Sequence, residues 1–374
     1  MRIAYFIGTL KKEREDGVTR VLLYFVRLAQ KSEIESIIIT GWVQDKSESP
    51  VEVISVPSIV FPLYTDYKLP LPGMAGFEKK LDKFKPDIIH VHSPDTIAWA
   101  ALKYAKKRHI PIIATHHTEF GKYLAYYHLA FLKKPVWLVL KKLYNQMNFV
   151  TTPSPVIAKE LISHGINNVQ TLEWGVDSNL FNPCFRSEAL RKKFLSGEKR
   201  NIILYVSRLT WEKDLKTLAQ TYKLLKNHRD DFIMVIVGDG PARVKFESMM
   251  PQAIFLGYIE GKELSEMYAS SDIFLFPSST ETFGNVTAEA MASGLVPVVA
   301  DAGGSKSLVE QGKTGFLCQP KNAEDFYKKV CLLLDNLKLR NQMRNAGLKF
   351  AKNLTWDKTF KKLLQIYNQL NVKK

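Results

Sequence analysis

The chain has little of several things that would assign it at once. Three cysteines, Cys184, Cys318 and Cys331, occur in 374 residues, too few for a disulfide framework. Nothing resembling a secretion signal precedes the first apolar run, so they read as reduced thiols of a cytosolic protein, small core residues in the simplest case. No run of 18 apolar residues exists, which excludes an ordinary membrane-spanning helix. Gly-x-Gly-x-x-Gly is missing, and with it the mark of a nicotinamide dehydrogenase. Asp-x-Asp, which would hold a divalent ion on a diphosphate, is missing too. There is no repeat of solenoid length and no low-complexity tract.

Acidic residues are also in deficit. The net charge is +16, spread as +7 over residues 1–175 and +9 over the remainder, with no basic tail. Such a charge favours polyanions in general, whether nucleic acid, anionic lipid or a phosphorylated ligand. A nucleic-acid binder would rest on charge alone, because no reading motif accompanies it.

What is present is a rhythm. Apolar runs of strand length alternate with amphipathic segments of helix length, the pattern of parallel sheets wound by helices. Expected strands are Arg2–Ile7, Ile37–Thr40, Val51–Val56, Ile88–Val91, Ile112–Thr115, Phe149–Thr152 and Val169–Leu172, with helices over Val18–Gln30, Thr96–Lys107 and Pro155–His164. After a loose stretch from Gly175 to Arg200 the rhythm restarts. It runs through Ile202–Val206, Phe232–Val237, Ile254–Leu256, Ile273–Phe276, Pro297–Val299 and Gly315–Leu317, and three helical segments close the chain. The expected domains are 1–175, 176–352 and a terminal helix, 353–374, returning to the first. Two doubly wound domains in tandem are expected to bind their ligand where the strand ends face one interdomain cleft.

The densest chemistry lies in Pro277-Ser-Ser-Thr-Glu-Thr-Phe-Gly-Asn-Val-Thr-Ala-Glu289, a strand emptying into a polar loop that opens a helix. Phe283, Gly284 and Asn285 fall at the helix start, where backbone N–H groups lack intrahelical partners and the dipole favours an anion such as a diphosphate. Glu289 sits in a helix that is apolar nearly all round, where a carboxylate needs a partner. Sugar hydroxyls would serve; a merely solvated or dipole-favoured pair of glutamates, Glu281 and Glu289, is the plainer alternative. Ser207-Arg208-Leu-Thr-Trp-Glu-Lys213-Asp214 follows another strand, and its two cations match a diphosphate, one by a bidentate grip and one as a point charge. Gly238-Asp-Gly240-Pro241 and Ala302-Gly303-Gly304-Ser305 are tight strand-to-helix turns, with room for a ligand or simply turns.

In this order and spacing, Ser207-Arg208…Lys213, Val237-Gly-Asp-Gly-Pro241, Pro277…Glu281-x7-Glu289, Gly294-x-x-Pro297 and Gly312-x-x-Gly315 resemble the retaining family 4 glycosyltransferases of GT-B fold, over nearly the whole chain. The resemblance implies two Rossmann-like α/β domains and a nucleotide-diphosphate sugar as donor. Arg208 and Lys213 would hold the diphosphate, Glu289 the ribose and Glu281 the sugar hydroxyls. It implies that Gly17, after Asp16, brings backbone to the donor phosphate or the acceptor, although relatives often carry two glycines there. Asp214 is a departure from the usual small or amide residue.

In the N-terminal half, Thr115-His116-His117-Thr118 ends a strand, and alternation sends the two histidines opposite ways. The family pattern favours His117 as the one beside the donor sugar, hydrogen-bonding a hydroxyl rather than acting as nucleophile. His90-x-His92 offers two imidazoles on one strand face, a spacing that also fits a metal, but no carboxylate or cysteine falls nearby at ligand spacing. No metal and no cofactor beyond the substrate nucleotide is therefore expected. Tyr123–Tyr144 interrupts the alternation with six aromatics and the pairs Lys133-Lys134 and Lys141-Lys142, a composition that suits a membrane interface and equally a buried hairpin with solvated lysines. The order His-Thr-x-Phe-x-x-Tyr-x-x-Tyr-Tyr is similar to that of lipid-acceptor members, the diacylglycerol glucosyltransferases. The reading is a metal-independent α-retaining hexosyltransferase with a UDP-glucose-like donor and a glycolipid acceptor, cytoplasmic or peripheral on the cytoplasmic membrane face. A glucosyl- or mannosyltransferase acting on a soluble or polysaccharide-linked glycan, and a non-catalytic sugar-nucleotide binder, are the alternatives.

Overall fold

The computed structural model describes residues 1–12, 16–60, 67–71, 76–119, 129–195 and 200–371. By internal contacts the chain separates into two compact units: residues 1–118, 131–173 and 356–374 form the first, 119–130 and 174–355 the second.

In the first unit the strands are β1 Arg2–Leu10, β2 Glu35–Val43, β3 Val53–Ser55, β4 Ser58–Val60, β5 Lys68–Pro70, β6 Ile88–Val91, β7 Ile112–Thr115, β8 Phe149–Thr152 and β9 Val169–Thr171. Seven of them make one sheet in the order β3-β2-β1-β6-β7-β8-β9, and the pairs are parallel throughout. Strands β6 and β7 are buried along their whole length, which is why they are mostly apolar; their polar members, His90 and Thr115, hydrogen-bond each other at 2.7 Å. Short β4 and β5 pair separately as an antiparallel hairpin, and a helix covers Phe77–Phe84; neither was legible in the periodicity. The last helix, Trp356–Asn371, belongs to this unit: Trp356 stacks on Tyr24 at 4.4 Å, and the Thr359 hydroxyl donates to Glu173 O at 2.7 Å.

The second unit carries β10 Asn201–Val206, β11 Phe232–Val237, β12 Ile254–Gly257, β13 Ile273–Phe276, β14 Val296–Ala300 and β15 Phe316–Cys318, in the parallel order β12-β11-β10-β13-β14-β15. Residues 175–200 are less loose than their composition suggests, since Glu188–Leu195 is helical. In both sheets the chain builds outward from its first strand on one side and then crosses to the other. The reversal falls between β1 and β6 in the first unit and between β10 and β13 in the second. Loops at the carboxyl ends of strands flanking such a reversal diverge and leave a crevice, the usual ligand position in a doubly wound sheet.

Candidate functional site

The reversal between β10 and β13 gathers the motifs of the second unit. Arg208 and Lys213 follow β10; Ser278 to Glu281 follow β13. Lys213 Nζ donates to Glu281 Oε1 at 2.6 Å, with both side chains largely buried, and the Ser278 hydroxyl adds a contact to the same oxygen at 3.2 Å. Arg208 is half-exposed, 3.8 Å from the buried Glu212 carboxylate, so its guanidinium keeps access to solvent.

Two loops from separate strands must be held in register for this pair to form, and Asp214 does much of it. It takes a left-handed conformation, φ 55°, between the turn Trp211–Lys213 and the helix Leu215–His228. Its carboxylate accepts from the backbone N–H and hydroxyl of Ser279 at 3.2 and 2.8 Å. The departure from the family pattern thus ties the lysine loop to the glutamate loop, a role beyond the helix start. Thr280 makes the reciprocal tie, its hydroxyl donating to Glu212 O at 3.1 Å. From below, Gly304 N–H donates to Glu281 O at 2.5 Å, and a Cβ at Gly304 would fall on the Thr282 carbonyl. The Gly303-Gly304 turn, left open between two readings by the sequence, is a close backbone approach that seats the Glu281 loop.

The helix Asn285–Ala292 begins after Gly284, at φ 93°, with no side chain capping its start. The Phe283 side chain is buried, 5.6 Å between ring centroids from Trp174, so only its backbone is available to a ligand. Glu289 does have its partner within the protein: the buried Tyr268 hydroxyl donates to its Oε2 at 3.0 Å. The desolvation argument that pointed to sugar hydroxyls is therefore met in part by a tyrosine 21 residues upstream.

In the first unit, β7 delivers His116 and His117 to different neighbours. His116 Nδ1 bonds the Tyr144 hydroxyl at 3.1 Å, inside the core. His117 Nε2 lies 2.9 Å from His92 Nδ1, the rings stacked at 5.0 Å. His90 is hydrogen-bonded at both nitrogens, by Tyr367 and by Thr115, each at 2.7 Å. Burial holds His90, His92 and His117 well below the ordinary imidazole value, with neighbouring histidines adding to the effect, and burial puts His116 at about 4. All four are neutral at pH 7, so the His92–His117 hydrogen bond joins two neutral rings. Gly17 is the first residue of the helix Gly17–Lys31, capped by Asp16, whose carboxylate accepts from Thr19 N at 2.8 Å; residues 13–15 lie outside the described residues.

Asp95 escaped the sequence reading. It follows β6 at the other reversal, caps the helix Thr96–Arg108 through Ile97 N–H at 2.8 Å, and accepts from the Tyr67 hydroxyl. Desolvation pushes its carboxyl up to about 6, against the opposing effect of those hydrogen bonds. Its only sequence signal, an Asp just before a helix, is that of any cap.

In the second unit, a lysine and a carboxylate pair at the carboxyl ends of two strands, beside a helix start with no side-chain cap and the close-approach Gly303-Gly304 turn, the candidate site of a Rossmann-like domain. The sequence profile of Glycosyltransferase Family 4 matches residues 16–180, and that of the group 1 glycosyl transferases matches residues 186–350. The chain is 34% identical over 366 residues to the sulfoquinovosyl transferase SQD2 of Arabidopsis thaliana, covering 95% of this chain and 71% of that protein. It is 32% identical to a GDP-mannose-dependent alpha-mannosyltransferase of Corynebacterium glutamicum (94% and 85% covered). An alpha-monoglucosyldiacylglycerol synthase of Streptococcus pneumoniae is 24% identical (80% and 71% covered). The structure of Anabaena HepE in complex with UDP-glucose superposes with a TM-score of 0.79 at 17% identity, covering 99% of this chain and 100% of that one. The chain belongs to the family 4 glycosyltransferases, and its two parallel-sheet domains have the GT-B fold.

Proposed function

We propose that this glycosyltransferase moves a hexose from a nucleotide-diphosphate donor to a hydroxyl of a membrane glycolipid precursor, with retention of configuration and without a metal. The observation that carries the reading is the Lys213–Glu281 pair at the β10–β13 reversal. An ammonium there neutralises the diphosphate as it leaves, and Arg208 offers a second cation from solvent. The Glu281 carboxylate beside it accepts from sugar hydroxyls. As the C1–O bond to phosphate breaks, the acceptor oxygen adds from the same face and its proton passes to the departing phosphate. No protein nucleophile enters this scheme. Glu289 takes the ribose hydroxyls on its second oxygen, with Tyr268 on the first.

A lipid acceptor is supported by the surface of the helix Lys133–Tyr144 and of the short turn Ala130–Leu132 before it. Phe131, Leu138 and Val139 are exposed among Lys133, Lys134, Lys141 and Lys142, a mixture suited to peripheral contact with an anionic membrane. No helix among the described residues is long and apolar enough to cross one. A UDP-glucose-like donor is the reading proposed, and its glucosyl part accords with the name of the monoglucosyldiacylglycerol synthase relative. A second reading, GDP-mannose, is favoured by the greater identity to the mannosyltransferase, 32% against 24%. The deciding experiment offers UDP-glucose and GDP-mannose with diacylglycerol vesicles in EDTA and reads product anomers by proton NMR. An α-glycolipid from UDP-glucose is expected. A β-anomer rejects retention, dependence on added Mg²⁺ or Mn²⁺ rejects the metal-free scheme, and transfer only from GDP-mannose installs the second reading.

A further inference from the structure

The second unit has another cationic site at the opposite end of its sheet. A cavity of about 280 Å³ is lined by Arg186, Arg191, Arg340 and Arg344, with Asp272 the sole acidic residue on its wall. Asn201 opens β10, Asp272 directly precedes β13 and Val296 opens β14, so the cavity lies at the amino ends of these parallel strands. Lys213 and Glu281 follow the carboxyl ends of β10 and β13. No residue is shared between the two sites.

The guanidiniums outnumber their partners. Arg191 donates to Asp272 Oδ2 at 2.9 Å and to Ser270 O at 2.7 Å, and Asp272 also accepts from Ile202 N–H. Arg186 pairs with Glu188, which is 69% exposed. Arg340 has a neutral acceptor, Asn201 Oδ1 at 2.7 Å. The Arg344 side chain makes no hydrogen bond or ion pair with any described residue, and is held by packing instead, since a Cβ on Gly294 would lie 3.0 Å from its Nε. Burial lowers the Arg340 pKa from its ordinary value, with Arg191 and Arg344 adding to it and Asp272 opposing. A guanidinium does not deprotonate in a protein, so the clustered charges stay and repel one another. A dianion accepting forked hydrogen bonds from several arginines relieves that repulsion, and phosphate has the matching geometry. The cavity is close to the lower end of the ~300–1,000 Å³ range of ligand pockets, a size for a small phosphorylated group.

We infer that this arginine cavity is a second phosphate-binding site, separate from the donor site, that takes the phosphomonoester of a small metabolite or of a phosphatidate-type lipid headgroup. The test is calorimetric titration of the full-length protein with glycerol 3-phosphate at constant ionic strength, set beside sedimentation with phosphatidate and phosphatidylcholine vesicles. Arg344→Gln and Lys213→Ala are the variants, with circular dichroism to confirm folding. Arg344 has no partner among the described residues to lose, so its variant should fold. Glycerol 3-phosphate binding should survive Lys213→Ala and weaken by roughly tenfold or more in Arg344→Gln, as the loss of a charge-assisted phosphate contact implies. If phosphatidate sedimentation falls in Arg344→Gln as well, the lipid headgroup is the ligand; if sedimentation is unchanged, the free phosphomonoester is. Glycerol 3-phosphate binding equal in wild type and folded Arg344→Gln, or abolished by Lys213→Ala alone, overturns the site.

Discussion

Lys213 and Glu281, 68 residues apart in sequence, meet at 2.6 Å with side chains 11% and 17% exposed. The sequence had divided the donor between them, diphosphate to one and sugar to the other. Their contact makes the two roles interdependent, because each charge is the other's counter-ion before a donor arrives. Lys213→Ala should lower donor affinity and turnover together, by about 10- to 100-fold for one charge-assisted phosphate contact. The double variant with Glu281→Gln should lose less than the two single losses added, by roughly 0.5–3 kcal/mol in a double-mutant cycle on kcat/KM. Strict additivity would mean that the pair seen here does not persist in the reacting complex.

Glu281 and Glu289 should separate in binding experiments without turnover. Glu281→Gln is expected not to weaken free nucleotide diphosphate, since its proposed partner is the sugar and its loss frees Lys213 for the phosphate, whereas Glu289→Ala should weaken it. Tyr268→Phe removes the internal donor to Glu289 and should weaken the nucleotide less than Glu289→Ala. Calorimetric titration of the three variants with UDP and GDP checks this; reversed effects of the two glutamates would exchange their assignments.

The buried histidines set an acid limit. His90, His92 and His116 are 0–2% exposed, and all have folded pKa values below the ordinary 6.5. Above about pH 6.5 neither state binds these protons and stability is unaffected. As pH falls below 6.5 the unfolded chain takes them up first, so stability is lost progressively toward the folded values, about 4 for His116. Each histidine contributes a slope approaching about 1.4 kcal/mol per pH unit. Urea unfolding at pH 7.5, 6.5 and 5.5 should show the decline, and His90→Gln should flatten it. A slope identical in the variant would assign the acid lability to other groups.

On the membrane-facing proposal, the structure redistributes the aromatic residues. Trp137 is 8% exposed and stacks on His164 at 3.7 Å, and Tyr144 is fully buried, so neither ring reaches a headgroup; residues 120–128, with three of the tyrosines, lie outside the described residues. Trp137→Ser should lower the melting temperature. Phe131→Ser with Leu138→Ser should instead reduce sedimentation with anionic vesicles at any salt. Changing Lys133, Lys134, Lys141 and Lys142 to Gln should reduce it mainly at low salt, about 1 kcal/mol for each lysine near the surface. Equal binding of parent and variants to anionic and neutral vesicles would favour a soluble glycan acceptor.

Much of the fold was legible because buried parallel strands advertise themselves. Ile88–Val91, Ile112–Thr115, Phe149–Thr152, Phe232–Val237 and Ile273–Phe276 have the same bounds in the structure as in the pattern, since a strand covered on both faces is mostly apolar. The short hairpin β4–β5 and the helix Glu188–Leu195 escaped, having too few buried positions to impose a period. Residue types at strand ends and in the helix Asn285–Ala292, and their order along the chain, made Arg208, Lys213, Glu281 and Glu289 candidates. Partners were another matter. That Lys213 meets Glu281, that Asp214 ties Ser279, that Tyr268 answers Glu289 and that His92 faces His117 depend on distances across 21 to 68 residues. Only the crossing order of the strands sets such distances, and no local pattern carries it. The arginine cavity is the extreme case: Arg186, Arg191, Arg340 and Arg344 look like four solvated charges in a basic chain until the amino ends of β10, β13 and β14 bring them to one wall.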